Sequence, residues 1–217
     1  HHPMNIEIFN VVALIAILSL VQSYFGIGLL IFGTPSLLLL GYDFHVALTY
    51  LLPASFVISL MQVLLANQKP PATSRWLYFI CLPATGLGLW IAGSVYYLSW
   101  INFSIGIMLL AFAMFRLLPI FANKISVLFN TNPGSFHFLI GLIHGLTNLG
   151  GALLVIFANS TKSNKDEIRY TIAYYYLLFS SVQLLLLAAI MGHLQDVIAH
   201  ASTAAISGSI YLIFGNL

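Results

Sequence analysis

The chain has 217 residues, of which 60% are hydrophobic and only 6% are charged, with a formal net charge of +2. A soluble domain of this length does not have such a composition, whereas a polytopic membrane protein does. The small net charge gives no indication of nucleic-acid binding, and the single cysteine, Cys81, excludes an intrachain disulfide and a two-thiol carrier.

Apolar segments follow one another along the chain, each near or above the roughly 18 residues that mark a spanning helix. They are residues 8–40, 46–66, 77–98, 101–121, 135–158, 170–191 and 197–214. The sequence therefore predicts an all-α polytopic membrane protein. No basic stretch with a cleavage site precedes the first segment, so we expect that segment to belong to the mature fold.

The basic residues fall in three groups: Lys69 and Arg75; Arg116 and Lys124; and Lys162, Lys165 and Arg169. If every segment crosses the membrane, the third group lies opposite the first two. If segment 135–158 enters and returns on the same side, all seven lie together. Because cytoplasmic loops carry the Lys/Arg excess, the second arrangement is favoured. It places the loops at 67–75, 116–133 and 159–169 in the cytoplasm.

Two of the segments contain residues that interrupt helices. Segment 135–158 has Asn148-Leu149-Gly150-Gly151 near its middle, and segment 8–40 has Gly26-Ile27-Gly28, with Gly33-Thr34-Pro35 soon after. Glycine and asparagine are poor residues for a helix interior. An arm of about ten residues spans about 15 Å, half the hydrocarbon thickness. We therefore predict that both segments are re-entrant hairpins.

An internal repeat relates the two broken segments. An offset of about 122 residues places Gly28 on Gly150, and the order of features is the same in both halves. The predicted inverted repeat consists of residues 4–125 (hairpin 8–40, then helices 46–66, 77–98 and 101–121) and residues 134–217 (hairpin 135–158, then helices 170–191 and 197–214). Many secondary transporters have this plan. The second repeat has no counterpart of helix 101–121.

Acidic residues occur only at segment ends or in loops: Glu7, Asp43, Asp166, Glu167 and Asp196. A carrier of cations or a metal-dependent lipid enzyme is expected to hold an acid at mid-membrane. The sequence therefore argues against both classes, and we expect neither a metal site nor a cofactor. A helix that restarts after a break presents free N–H groups, which bind an anion without a charged side chain. The alternative is that the glycines only allow close helix packing.

The predicted substrate-binding residues lie at or near the two breaks. They are Gly26, Gly28, Thr34, Pro35, His144, Thr147, Asn148, Gly150, Gly151 and Tyr175. His144 is either a proton-coupling group or a packing residue. A tyrosine of the run 174–176 either binds substrate or fills the core.

The stretch from Phe25 to Pro35, followed by Gly41 and Ala47-Leu48-Thr49, resembles the first conserved block of the sulfite exporter TauE/SafE family. The stretch from Gly141 to Leu154 resembles its second block. The resemblance implies a multi-pass permease of the bacterial inner membrane for small sulfur-containing or organic anions, such as sulfite, thiosulfate and sulfoacetate. Its expected partners are this anion and the lipid bilayer, with self-association left open.

Two other classes remain as alternatives. One is an intramembrane hydrolase that uses Ser207 or Ser209 with His200, although the sequence around these serines is not a nucleophile-turn motif. The other is a non-transporting membrane assembly factor. Flux measurements on reconstituted protein separate the three.

Overall fold

The computed structural model describes residues 3–26, 28–66, 68–71, 74–94, 129–162 and 164–215, together with Phe103, Gly106, Ile107, Leu110 and Val127. These residues form helices and connecting turns without a strand, which confirms the all-α prediction. Most of the predicted helix 101–121, including Arg116, lies outside the described residues, as does Lys124.

The first half of the described chain contains four helices. They are α1 (Pro3–Phe25), α2 (Leu29–Leu39), α3 (Phe44–Leu65) and α4, which runs from Ser74–Trp76 through a π-helical turn at Leu77–Cys81 into Leu82–Ser94. The second half contains α5 (Pro133–Thr147), α6 (Gly151–Thr161), α7 (Lys165–Leu185, continued by a π-helical turn at Leu186–Ile190), α8 (Leu194–Ala199) and α9 (Ser202–Phe214).

Within the described residues, three helices are long and apolar enough to cross a membrane: Phe44–Leu65, Leu77–Ser94 and Lys165–Ile190. Shorter apolar helices accompany them: Phe9–Phe25, Leu29–Leu39, Gly151–Thr161 and Ser202–Phe214. Three of these shorter helices, Phe9–Phe25, Leu29–Leu39 and Gly151–Thr161, belong to the two interrupted segments of the sequence.

Side-chain caps set the start of two helices. Asn164 accepts a hydrogen bond from the Asp166 N–H at 3.0 Å, and two acidic residues occupy the first turn of α7. This cap and the favourable helix dipole begin α7 at Lys165, more than one turn before the predicted residue 170. Asn132 caps α5 in the same way, accepting from the Ser135 N–H at 3.1 Å.

The predicted helix 197–214 is two helices, because the chain is interrupted at His200 and Ala201. The His200 ring stacks on Tyr50 with 3.5 Å between centroids and shares a hydrogen bond of 2.9 Å with the Thr49 hydroxyl. These contacts with α3 hold the break, and tertiary contacts of this kind are not visible in the periodicity of 197–214.

The segment α1–α2 folds back on itself as a helical hairpin. A Cβ at Gly28 would lie 2.9 Å from Val21, and one at Gly33 would lie 3.4 Å from Leu18. Contacts therefore move toward the start of α1 as α2 proceeds, which is the order of an antiparallel pair.

The segment α5–α6 folds back in the same way. Gly150 lies against His144 at the turn, and the rings of Phe136 and Phe157 lie 5.8 Å apart nearer the open end. The helix interruptions predicted at both glycine-containing sites are confirmed.

Helix α3 lies at the centre of the described bundle and packs against α2, α7 and α9. Helix α4 packs on α5 and on α7, while α9 packs on α1 and on α3. In the contact between α4 and α5, the two backbones pack directly against each other. A Cβ at Gly88 would lie 2.6 Å from the Leu142 carbonyl oxygen, and Gly145 lies directly against the Thr85 carbonyl.

Two of the three basic groups lie at one end of the bundle. Lys69 and Lys162 line the same pocket of about 410 Å³, and Lys162 lies 3.9 Å from Glu167. At the other end, His45 stacks on His193 with 5.7 Å between ring centroids. The described residues of the loops at 67–75 and 159–169 are therefore neighbours, as the charge distribution predicts, whereas most of the loop at 116–133 lies outside the described residues.

Candidate functional site

At each helix break, the residue that follows the last helical turn has a positive φ. Gly26 ends α1 with φ of 76°, and Asn148 ends α5 with φ of 61°. Their N–H groups donate to the carbonyl oxygens of Gln22 at 2.8 Å and His144 at 2.7 Å. Glycine and asparagine are the residues that adopt this conformation at helix ends with little strain, so the sequence determines where both helices stop.

The restarting helices present backbone donors at their first turns. At α2, the Gln22 side chain accepts from the Leu29 N–H at 3.2 Å. At α6, the N–H groups of Gly150 and Gly151 have no acceptor within the described part of the chain. The first turn of α6 therefore offers backbone donors that no side chain caps.

The two hairpins meet at this turn. The Asn148 side-chain N–H donates to the Thr34 hydroxyl at 2.8 Å, which joins the second break to α2. Ile31, in the first turn of α2, lies 3.2 Å from the position of a Cβ at Gly151. The N-termini of α2 and α6 are thus neighbours in the core.

A set of buried polar groups surrounds the start of α6, and we call it the break cluster. Its members are the buried Gly151 and five polar residues that are at most 1% exposed: Thr34, His144, Asn148, Tyr176 and Gln183. Within the described chain, no partner meets hydrogen-bond geometry for either His144 ring nitrogen, Asn148 Oδ1, the Tyr176 hydroxyl or either polar atom of the Gln183 amide, although that amide lies beside the His144 ring. Buried polar atoms usually have partners, so this concentration indicates a place for a ligand or ordered water.

His144 and His137 differ although they share a face of α5. His144 stacks on Phe179 with 4.2 Å between centroids, and neither of its nitrogens is hydrogen bonded. Both His137 nitrogens are bonded at 2.7 Å, one to the Pro133 carbonyl and one to the Tyr175 hydroxyl. His137 is a packing residue, and His144 is the histidine of the break cluster.

The tyrosine in the break cluster is Tyr176. Its hydroxyl contacts the Cα face of Gly151. Tyr175, the residue predicted from the sequence, points to His137 instead, because adjacent residues of a helix lie about 100° apart around its axis. Gln183, two turns further along α7, was also not among the residues predicted from the sequence.

The remaining predicted residues lie around the cluster or away from it. Thr147 and Gly150 flank Asn148, and the Thr147 hydroxyl accepts from the Leu149 N–H at 3.2 Å. Pro35 lies inside α2 without interrupting it. The two glycines of the first break face other residues than the cluster. Gly26 lies against Arg169, and Gly28 lies against Val21 of α1.

The serine and histidine of the hydrolase alternative are not brought together. Ser207 is hydrogen bonded to Ser19 at 2.7 Å, and Ser209 donates to the Ala205 carbonyl. The His200 ring is bonded to Thr49. No nucleophile and base pair of this kind exists among these residues.

A bundle of apolar helices, in which the first turns of α2 and α6 meet inside the core, is that of a multi-pass membrane protein. The family model described as Sulfite exporter TauE/SafE matches residues 11–215, and the chain belongs to this family. TauE/SafE is a transporter family, so membrane transport is the activity class of this chain. Comparisons with curated proteins and with solved structures gave no match.

Proposed function

We propose that this protein is an inner-membrane permease for small sulfur-containing or organic anions such as sulfite, thiosulfate and sulfoacetate. The anion binds in the break cluster, at the first turn of α6, and crosses by alternating access. The observation that carries this proposal is the set of free donors there: the Gly150 and Gly151 N–H groups beside the unpaired Tyr176 hydroxyl.

The energetics favour an anion at this place. A buried polar group without a partner costs about 1–3 kcal/mol, and the break cluster holds several such groups. An oxyanion supplies acceptor oxygens to the Gly150 and Gly151 N–H groups and to the Tyr176 hydroxyl at once. The N-terminal end of the α6 dipole adds favourable electrostatics without a charged side chain.

The inverted repeat, which is part of the proposed mechanism, is supported at the breaks. Gln22 and His144 are 122 positions apart, and so are Gly26 and Asn148. Each pair occupies the same place in its break, with the same backbone hydrogen bond and a left-handed residue.

Helix packing supports the same relation. Exchanging α1, α3 and α4 with α5, α7 and α9 converts the α4–α5 contact into α9–α1, and the α4–α7 contact into α9–α3. All four contacts exist. In this proposal α1–α2 and α5–α6 are the re-entrant hairpins, and each is shielded from lipid by the helices of the other repeat.

The break cluster is closed in this structure, since its side chains are fully buried. Substrate exchange therefore requires helices to move, which is the expectation for a carrier with an occluded state.

The test is flux of sulfur-35-labelled sulfite into proteoliposomes that contain the purified protein. We expect saturable uptake that unlabelled thiosulfate or sulfoacetate reduces, and no uptake into protein-free vesicles. Folded, reconstituted protein that moves none of these anions in either direction would contradict the proposal and favour the assembly-factor alternative.

A further inference from the structure

One face of α7 carries polar residues along most of its length. Arg169, Tyr176, Ser180 and Gln183 are spaced by seven, four and three residues, so they lie on one side of the helix. All except Arg169 are fully buried or nearly so.

A polar face of α3 lies opposite. Ser55, Ser59 and Gln62 are spaced by four and three residues and are all buried. The Ser180 hydroxyl donates to the Ser55 hydroxyl at 3.1 Å, which fixes the two faces against each other.

This contact between α3 and α7, which we call the polar seam, is incompletely hydrogen bonded. The Ser59 hydroxyl and the Gln62 Oε1 atom are buried without a partner in the described chain. Two packed membrane helices have no need of such groups for stability, since each unpaired atom is costly. The polar seam therefore resembles the wall of a path more than a packing interface.

At the end of the polar seam that Gln62 occupies, beside the basic loops, lies a pocket. The pocket has a volume of about 330 Å³. Its lining includes Gln62, Gln68, Asp166, Arg169, Tyr170 and Tyr211. Gln62, whose Oε1 atom is buried without a partner, belongs to this lining and lies at the junction of the pocket and the polar seam.

Arg169 holds a fixed position in the pocket wall. Its guanidinium donates to the Ser23 carbonyl oxygen at 2.7 Å, and its aliphatic stem packs against Gly26 of the first break. Asp166 also lines the pocket but forms no ion pair with Arg169 in the described part of the structure. One bond to a neutral carbonyl leaves the remaining guanidinium donors for another acceptor.

We propose that this pocket is a second anion-binding site, the mouth of the substrate path on the side of the basic loops, in which Arg169 binds the anion. The inference rests on the proposed function for the identity of the anion, a small sulfur oxyanion. Arg169 supplies the charge that the break cluster lacks, and it lies two helical turns, about 10 Å, from Tyr176 along α7. An anion passes from Arg169 along the polar seam to the first turn of α6.

The test compares sulfite flux from the two sides of the membrane in oriented proteoliposomes. For Arg169→Gln we expect the half-saturating sulfite concentration to rise at least about tenfold when sulfite is added on the basic-loop side. The value for the opposite side should change little. Arg169→Lys should retain part of the effect because it keeps the charge. Lys165→Gln is the matched control, with the same charge change on the exposed first turn of α7, and should behave like the parent.

An equal rise on both sides, or the same rise in Lys165→Gln, would overturn the second site. If Arg169→Gln does not fold, Gln62→Glu replaces it. The added acid should raise the half-saturating concentration from the basic-loop side only, and the control Gln62→Met should not. An inactive parent would refute the proposed function instead. Calorimetric titration of sulfite into the parent and the Arg169 variant then decides separately whether the pocket binds the anion.

Discussion

The side-chain amide of Asn148 donates to the hydroxyl of Thr34 across 2.8 Å, and this hydrogen bond joins the two broken helices. Asn148 therefore does three things at once. Its left-handed backbone ends α5, its amide holds α2, and its Oδ1 atom remains in the break cluster without a partner. Thr34 is fully buried, so the bond is shielded from water.

The first prediction concerns charge in the break cluster. Asn148→Asp is nearly isosteric and tolerates the left-handed conformation, but it places a carboxylate where the anion binds. We expect sulfite binding, measured by calorimetry, to weaken at least about tenfold. Thr34→Val is the comparison variant, because it removes the Asn148–Thr34 hydrogen bond without adding charge, and it should weaken binding less than Asn148→Asp does. Equal binding by Asn148→Asp and the parent would place the anion elsewhere.

The second prediction concerns the close contact of Gly151 with Tyr176. A methyl group at Gly151 would overlap the tyrosine hydroxyl and lie 2.7 Å from its Cζ atom. Gly151→Ala should therefore reduce both thermal stability and sulfite binding. Adding Tyr176→Phe should restore part of the stability, since it removes the overlapping oxygen, but it should not restore binding. Gly106→Ala is the control, because no atom of the described residues lies within 4 Å of its Cβ position. Independent effects of the two substitutions would argue against this contact.

The third prediction separates the two histidines of α5. His137→Phe removes two hydrogen bonds and should cost about 1–3 kcal/mol of stability, read as a lower melting temperature with little change in the pH profile of transport. Neither His144 nitrogen has a partner at hydrogen-bond geometry, so His144→Gln, which can still face the Gln183 amide, should lower the melting temperature less than His137→Phe. An imidazole changes charge near neutral pH only where water reaches it. If opening of the carrier exposes His144 to water, the same variant should flatten the pH dependence of sulfite flux. An unchanged profile would make His144 a packing residue.

The fourth prediction concerns sidedness. The residues Gln68, Lys165 and Gln195 are exposed, so a single cysteine introduced at each position should be accessible. The native Cys81 is fully buried. Positions 68 and 165 should react with an impermeant thiol reagent from the same side, and position 195 from the other. Labelling of 68 and 165 from opposite sides would contradict the re-entrant arrangement of α5–α6.

The broken helices could be predicted because their cause is local. Gly26 and Asn148 adopt backbone conformations that other residues avoid, and both interruptions lie where the sequence places them. The break at His200 could not be predicted, because contacts with α3 produce it. Pro35, a predicted binding residue, lies in the second turn of a short helix, where it removes only a single hydrogen bond and does not interrupt the helix.

The break cluster was predicted in part. Thr34, His144 and Asn148 are polar residues close to a break in sequence, and the structure brings them together. The choice of Tyr176 over Tyr175 depends on the rotation of α7 about its axis, which packing against α3 and α5 determines. Gln183 is distant in sequence from both breaks, so spacing alone gave no reason to include it.

The glycine contact between α4 and α5 limits how this protein can change shape. At Gly88, Gly141 and Gly145 the two backbones touch with no side chains between them to repack. A shift of one helix along the other by a single residue, about 1.5 Å, would bring Cβ atoms onto carbonyl oxygens. Helices α4 and α5 therefore move together as one rigid unit. The opening that admits substrate has to come from the side of the bundle formed by α2, α3, α6 and α7.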